Sequence, residues 1–455
     1  MEQRNERHVS CIIELQGLLG DISNSNFSDV ICQIEKMGWN CPSRFHSLLC
    51  IILKMIKYRS ESIPLYVDAI IQIMPEDKVI SGRLVLKVIF NEMIHRKIVV
   101  IPTYLYFLYL CTIKGVVSTH DVITKFSKWW INHAERRVFL WMFFLWFGPD
   151  MDLSTFNLFK LLDFKDKRII STSLFVKDFI KLNEMHISQS YNWSSIIELR
   201  NQKMDTDRIF YYLKYDMMED LVSLLNHYPR YNLQTTYPSS VFCPHPVLQY
   251  NPSLVDIAAY FGSNRCLRFL LINKVKINVA DNYGRNTLDF AICGGNIDGY
   301  NICKQFGASS INELHNAALF YRKDFLQTFM LDYPNDPDLD AEYPELFSAA
   351  KSGFIECLDI MISSGCDIRS ISKNGMNLVH YAASKGNSSI LFYIWSRISD
   401  SIDLKDTKGV FLYFIEHQLC MRQKREDSQH FICYFLVKKL ILIILMQIMF
   451  LCCFY

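Results

Sequence analysis

Histidine and cysteine are the side chains here best suited to chemistry, and their spacing argues against it. Fifteen cysteines are scattered over 455 residues with no Cys-x-x-Cys pair, so a closed zinc site, which needs clustered soft ligands, has no framework. Cys243-Pro-His245 offers two metal ligands with no second pair. Cys50, Cys111, Cys266 and Cys357 sit in apolar helical contexts, which suits reduced, buried thiols of a cytosolic protein better than disulfides. No Gly-x-x-x-x-Gly-Lys-[Ser/Thr] phosphate loop, Gly-x-Ser-x-Gly elbow or His-Glu-x-x-His pair occurs. His120, His133 and His186 lack ligand-like pairing, and His380 has no nucleophile or orienting partner indicated beside it. No catalytic residue, metal or cofactor is expected.

A repeated pattern is the stronger signal. A small residue is followed by leucine-like residues nine, twelve and thirteen positions on, often with glycine at four and sixteen. Ala258, Gly262, Leu267, Leu270 and Leu271 form the clearest copy, and Ala291, Gly295 and Gly307 repeat it 33 residues later. Ala349, Gly353, Leu358, Met361, Ile362 and Gly365 fill the same positions, and Ala382, Gly386, Leu391, Ile394 and Trp395 follow after another 33. Ala317, Leu326, Phe329 and Met330 keep the apolar positions and lose both glycines. A period of 33 residues predicts a stacked solenoid, whose natural role is binding.

Each position has a physical task. Alanine pairs let neighbouring helices approach closely. Glycine at four closes a short helix at positive φ, and the leucines at i, i+3 and i+4 give the returning helix one apolar stripe. Tyr212, Asp216, Leu221, Leu224 and Leu225 form a weaker copy 46 residues ahead of Ala258. The surplus of 13 residues falls in a proline-rich stretch from Pro229 to Pro252, which argues for an insertion.

The run Asn374-Gly-Met-Asn-Leu-Val-His-Tyr-Ala-Ala-Ser-Lys-Gly-Asn387 resembles the ankyrin-repeat signature, with Asn377 in the threonine position, Leu378 in that of proline and His380 in that of histidine. Asp281-Asn-Tyr-Gly-Arg-Asn-Thr-Leu-Asp-Phe-Ala291 resembles the hairpin opening and first helix of the same family. Residues 252–262 are similar to a recurrent opening in divergent protist-type ankyrin-repeat proteins, and the likeness spans roughly 205–410. The resemblance implies that His380 steadies its hairpin through a backbone hydrogen bond. It also implies that partners meet the concave face, through hairpin tips and positions just after the alanine pair. Carried over residue by residue, these are Asn282, Tyr283, Arg285, Lys373, Asn374 and Met376 at the tips, and Tyr260, Phe261, Lys351, Ser352, Ser384 and Lys385 on the first helices.

Residues 1–205 lack the pattern. Apolar-rich segments at Phe45–Tyr58, Leu65–Met74, Val79–His95, Tyr104–Lys114 and Val122–Phe147, with Pro42, Pro64, Pro75, Pro102 and Pro149 near their limits, predict helices. Trp129, Trp130, Trp141 and Trp146 read as core rather than as a membrane-facing ridge, because the apolar run at 141–147 is too short to span a bilayer. The expected fold class is all-α: a helical domain (1–205), a degenerate capping repeat (206–228), a proline-rich insertion (229–250), an ankyrin-repeat α-solenoid with short hairpin loops (251–410) and a divergent hydrophobic tail (411–455).

A charge of +2 from 48 basic and 46 acidic residues gives no electrostatic case for nucleic acid. The charged opening Met-Glu-Gln-Arg-Asn-Glu-Arg lacks the apolar core of a secretory signal. The expectation is a cytoplasmic, non-enzymatic scaffold or adaptor with a protein partner. One alternative is a tail-anchored membrane adaptor, since residues 440–455 contain only Gln447 as a polar residue and follow Lys438 and Lys439. A shifted reading frame near Glu426 is a second account of that tail. A substrate-recruiting subunit of a ubiquitin ligase, or an enzyme within 1–205, is a further alternative.

Overall fold

The computed structural model describes residues 2–398 except 95, 131–135, 153–154, 158–174, 188–192, 203–206, 229, 333–345, 373–375 and 386–387. The tail at 411–455, with the segment 440–455 on which the membrane alternative rests, therefore lies outside the described residues. The chain divides into two compact units: residues 14–332, and residues 1–13 with 333–455. The described residues are helical, joined by turns, with only isolated β-bridges. None of their helices is long and apolar enough to cross a membrane.

The larger unit opens with helices α1 (Glu2–Gly20, from residue 14), α2 (Phe27–Lys36), α3 (Pro42–Tyr58), α4 (Ile63–Ile73), α5 (Lys78–Ile94), α6 (Ile101–Ile113), α7 (Thr119–Trp130) and α8 (Arg137–Phe147). Pro42, Pro64 and Pro102 each occupy the first turn of a helix, where the missing N–H costs nothing. Alternate helices stack: α2 on α4, α4 on α6, α6 on α8, and α3 on α5. Helix α6 is buried on nearly every side, from Ile101 to Tyr109 and at Cys111, so it needs no polar face. The segment read as Val122–Phe147 is two helices, because Arg136 leaves helical geometry at φ −88°, ψ 48°. Trp141 and Trp146 are fully buried, and Trp129 packs edge-on against Phe90 and Phe139.

Helices α9 (Val176–Ile187) and α10 (Ser194–Gln202) lead to four helical hairpins: α11 (Arg208–Lys214) with α12 (Met218–His227), α13 (Leu254–Phe261) with α14 (Asn264–Ile272), α15 (Thr287–Gly294) with α16 (Ile297–Gln305), and α17 (Glu313–Leu319) with α18 (Lys323–Asp332). First helices pack on first helices, α12 on α14 and α14 on α16. Ala258, Ala259, Ala291, Ala317 and Ala318 are fully buried between layers. A Cβ on Gly294 would come within 1.9 Å of the Tyr260 carbonyl oxygen, so only glycine admits that approach.

Gly262 closes α13 at φ +75°. Where the repeats lack glycine, the backbone keeps the same turn: Asp216 (φ 54°), Lys274 (φ 61°) and Tyr321 (φ 55°) stand in the positions of missing glycines. Each accepts a left-handed conformation that costs about 1–2 kcal/mol. Asp216 recovers part of it, since its carboxylate accepts from the Arg265 and Cys266 amides at 3.2 and 2.9 Å, in the first turn of α14.

In the second unit, α19 (Leu346–Ser352) with α20 (Ile355–Ser363) and α21 (Leu378–Lys385) with α22 (Ser388–Ile398) repeat the arrangement, with α19 on α21 and α20 on α22. Ala349, Ala350 and Ala382 are fully buried there.

Candidate functional site

The hairpin tip at 281–285 is built by one carboxylate. Asp281 Oδ1 accepts from the Tyr283 and Arg285 amides, both at 2.8 Å, while the Asp281 amide donates to the Arg285 carbonyl at 2.8 Å. Gly284 supplies the positive φ, +91°. Asp281 Oδ2 holds the Arg285 guanidinium through Nε at 3.0 Å and a terminal nitrogen at 2.7 Å, and the same nitrogen donates to the Val247 carbonyl at 2.6 Å. Arg285 lies 5.0–5.3 Å from the rings of Tyr283, Tyr250 and Phe290. It is buried, pinning the tip to the proline-rich insertion. Tyr283 packs one side on Tyr250, 5.0 Å between ring centres, and remains 59% exposed.

Beneath the tips runs a row of buried carboxylates. Ser253 with Asp256, and Asn286 with Asp289, close reciprocal capping boxes at the starts of α13 and α15. Asp256 Oδ1 also accepts from Thr287 Oγ1 at 2.6 Å, and Asp289 Oδ1 from Asn316 Nδ2 at 2.9 Å and Ser310 Oγ at 2.5 Å. Each carboxylate thus ties its own cap to the next repeat. Burial pushes the Asp256 carboxyl up to about 6 against the pull of Thr287 and Ser253, and burial raises Asp289 as well.

The first-helix face of these repeats is covered by the same unit. Ser60 Oγ and His245 Nδ1 share a hydrogen bond of 2.9 Å, and Tyr260 Oη reaches His245 Nδ1 at 3.2 Å and Ser60 Oγ at 3.4 Å. Arg322 pairs with Glu61 at 2.9 Å and donates through Nε to the Cys293 carbonyl at 2.9 Å. Arg59 pairs with Glu61 at 2.8 Å and donates to the Tyr321 carbonyl at 3.2 Å. Burial works to raise the Glu61 carboxyl, but Arg322 and then Arg59 overcome it and hold the group below its ordinary range. The insertion is fixed from the other side: Thr103 Oγ1 donates to the Pro244 carbonyl at 2.8 Å, Trp146 Nε1 to Val241 at 3.1 Å, and Asp178 accepts from Ser240 Oγ and the Val241 amide at 2.9 and 2.7 Å.

Of the residues picked from sequence, Asn282 and Tyr283 are exposed at the tip and Arg285 is buried behind them. Tyr260 is buried in the contact with Ser60, and Phe261 is half-buried, edge-on to His245 and Phe210. In the second unit Lys351 and Met376 are half-buried, and Ser352 is buried, donating to the Ala349 carbonyl at 3.0 Å. Lys373 and Asn374 lie outside the described residues, as do the side chains of Ser384, Lys385 and His380. Cys243 and His245 serve packing: the thiol points to the His245 carbonyl at 3.9 Å, and the imidazole belongs to the Ser60 contact. Burial pushes the thiols of Cys266, Cys293 and Cys303 up to about 12, which keeps them protonated and unreactive. Sequence reasoning missed Asp256 and Asp289. Both stand two residues before the repeat alanine, the position of His380 in its copy, and that register was the available signal.

The profile of the family described as ankyrin repeats (many copies) matches residues 255–306 and 346–394. No curated protein matches the chain. Among solved structures, the human ASB11 ankyrin repeat domain is similar at 16% identity and a TM-score of 0.35, over 49% of this chain and 99% of that one. A structure of the Bd0816 predatory endopeptidase from Bdellovibrio bacteriovorus with immunity protein Bd3460 is similar at 17% identity and a TM-score of 0.31, over 42% and 97%.

Proposed function

Starting from the ankyrin repeats at residues 255–306 and 346–394, which make this region a protein–protein interaction module, we propose that the chain is a non-enzymatic scaffold or adaptor that engages its partner through a hairpin tip. The observation that carries this reading is Tyr283, an aromatic side chain 59% exposed on a turn held by Asp281 and Arg285. A large ring fixed before contact loses little conformational freedom on binding, and aromatic anchors of this kind dominate interface energetics. Asn282 stands beside it, also exposed, with its amide donated to the Tyr250 carbonyl at 3.0 Å. The first-helix positions Tyr260 and Phe261 are engaged by Ser60, His245 and Phe210. Of the positions singled out on these repeats, those at the tip rather than those around Tyr260 are therefore the accessible ones.

The test is proximity labelling in the native cell with the full chain and with Asn282→Ala/Tyr283→Ala. Arg285 stays intact, because its loss would undo the turn. Partners lost from the double variant at equal protein abundance are expected. An unchanged set of neighbours would overturn the tip as the binding element.

A further inference from the structure

An excess of positive charge gathers where α3 and α5 end. Lys54 and Lys57 lie in the last turns of α3, and Arg96 and Lys97 follow α5. Burial holds the Lys54 ammonium down, so the charge rests on Lys57, Arg96 and Lys97, and the carboxylate of Glu92 acts on Lys57 and pairs with Arg96. The buried Arg96 Nε has no hydrogen-bond partner among the described residues. Lys57 Nζ donates to Tyr58 Oη at 2.8 Å and lies 4.5 Å from the centre of that ring, a neutral neighbour. Two helix carbonyl ends supply only about half a negative charge each, so a net positive charge remains. Its effect is visible at Lys57, where burial, then Arg96 and Lys97, push the ammonium down to about 8.

A folded chain gains nothing by holding like charges together at a half-buried site, and an anionic ligand would relieve the repulsion. Lysine ammoniums are point donors without a fixed fork, and the Arg96 fork is partly spent on Glu92. A charge spread over three side chains fits several carboxylates along a peptide better than one compact phosphate. The cluster also borders apolar surface, since Ile98 is 44% exposed.

We propose that Lys57, Arg96 and Lys97 form a docking point for an acidic segment of the protein partner. The inference rests on the protein-binding reading above and adds the partner's chemistry to it.

The test is fluorescence anisotropy of a fluorescein-labelled peptide of alternating glutamate and serine with the full chain at low salt. Lys57→Gln/Lys97→Gln is expected to weaken binding about tenfold. Lys87→Gln/Lys128→Gln, a cationic pair on α5 and α7, is expected to leave it within about twofold. Should the first pair compromise folding by circular dichroism, Lys97→Glu alone, at an exposed position, must still weaken binding. Equal weakening by both pairs, absence of binding to the natural chain, or displacement by inorganic phosphate but not by chloride of matched ionic strength would each overturn the proposal. The labelling experiment is independent: partners dependent on Asn282 and Tyr283 with no affinity for the acidic peptide would leave the tip standing and remove the acidic segment.

Discussion

Asp256 holds two repeats together while buried almost completely, so its ionisation is linked to folding. Its carboxyl ionises near 3.9 in an unfolded chain and at about 6 in the folded one, because burial opposes the charge more than Thr287 and Ser253 favour it. Between those values the folded state retains a proton that the unfolded state has lost. The stability contributed by this group is therefore present below about pH 4 and is lost as pH rises through about 6, on the order of 2–3 kcal/mol as an upper bound. Asp289 and Asp178, also raised by burial, act in the same direction. Glu61 acts oppositely: its lowered value gives stability above its unfolded value that disappears in stronger acid. Asp256→Asn can keep both contacts, accepting from the Ser253 amide through Oδ1 and donating through Nδ2 to Thr287 Oγ1, whose hydroxyl also reaches the Ile277 carbonyl at 2.7 Å. The expected outcome is a smaller fall in urea midpoint between about pH 4 and pH 7 than in the natural chain. An unchanged fall would mean that Asp256 is not the group responsible.

At the scale of elements, the proline-rich stretch between α12 and α13 is held by side chains rather than by a ladder of its own. Gln249 is fully buried, accepts from the Ser240 amide at 3.1 Å and donates to the Ser240 and Cys243 carbonyls at 2.9 and 2.8 Å. Asp178 of α9 then fixes Ser240 and Val241. Asp178→Ala would leave two buried donors without acceptors, a cost of about 2–4 kcal/mol. Hydrogen exchange at the Val241 amide should accelerate, while amides within α15 keep their protection; uniform acceleration would point to global destabilisation instead. None of this anchoring was legible in the sequence, where the prolines excluded a helix without saying what would hold the loop. The hairpins were legible because alanine, glycine and leucine at fixed spacing each answer to a neighbour in the adjacent repeat. Even the absent glycines left their turns in place, since Asp216, Lys274 and Tyr321 take the left-handed conformation that packing on either side imposes. At the tip, the exposure of Tyr283 follows from the turn and was readable. The burial of Arg285 and Tyr260 depends on Val247 and Ser60, partners brought by tertiary packing that spacing along the chain does not encode.

For the molecule as a whole, the consequence is that the first repeats and the helical region before them fold as one body. Residues 59–61 reach Tyr260, Tyr321 and Arg322, and α6, α8 and α9 reach the insertion. Removing the helical region would leave Arg322 without Glu61 and expose Val241, Phe242, Val247 and Tyr260, all buried in the intact unit. Each such aliphatic or aromatic side chain contributes about 1.5–3 kcal/mol through burial, and a solenoid short of neighbours has little reserve to absorb that loss. A chain beginning at Asp207 is therefore expected to lose its helical circular dichroism at a clearly lower urea concentration than the full chain. It should also bind a hydrophobic dye that the full chain does not. If it instead unfolds at the same midpoint without dye binding, the repeats are self-sufficient and the cover over Tyr260 adds no stability. In that event the contacts of Ser60 and Glu61 would be separable from folding. Variants that break them, such as Ser60→Ala with Glu61→Gln, could then make the face around Tyr260 available to a partner without unfolding the repeats.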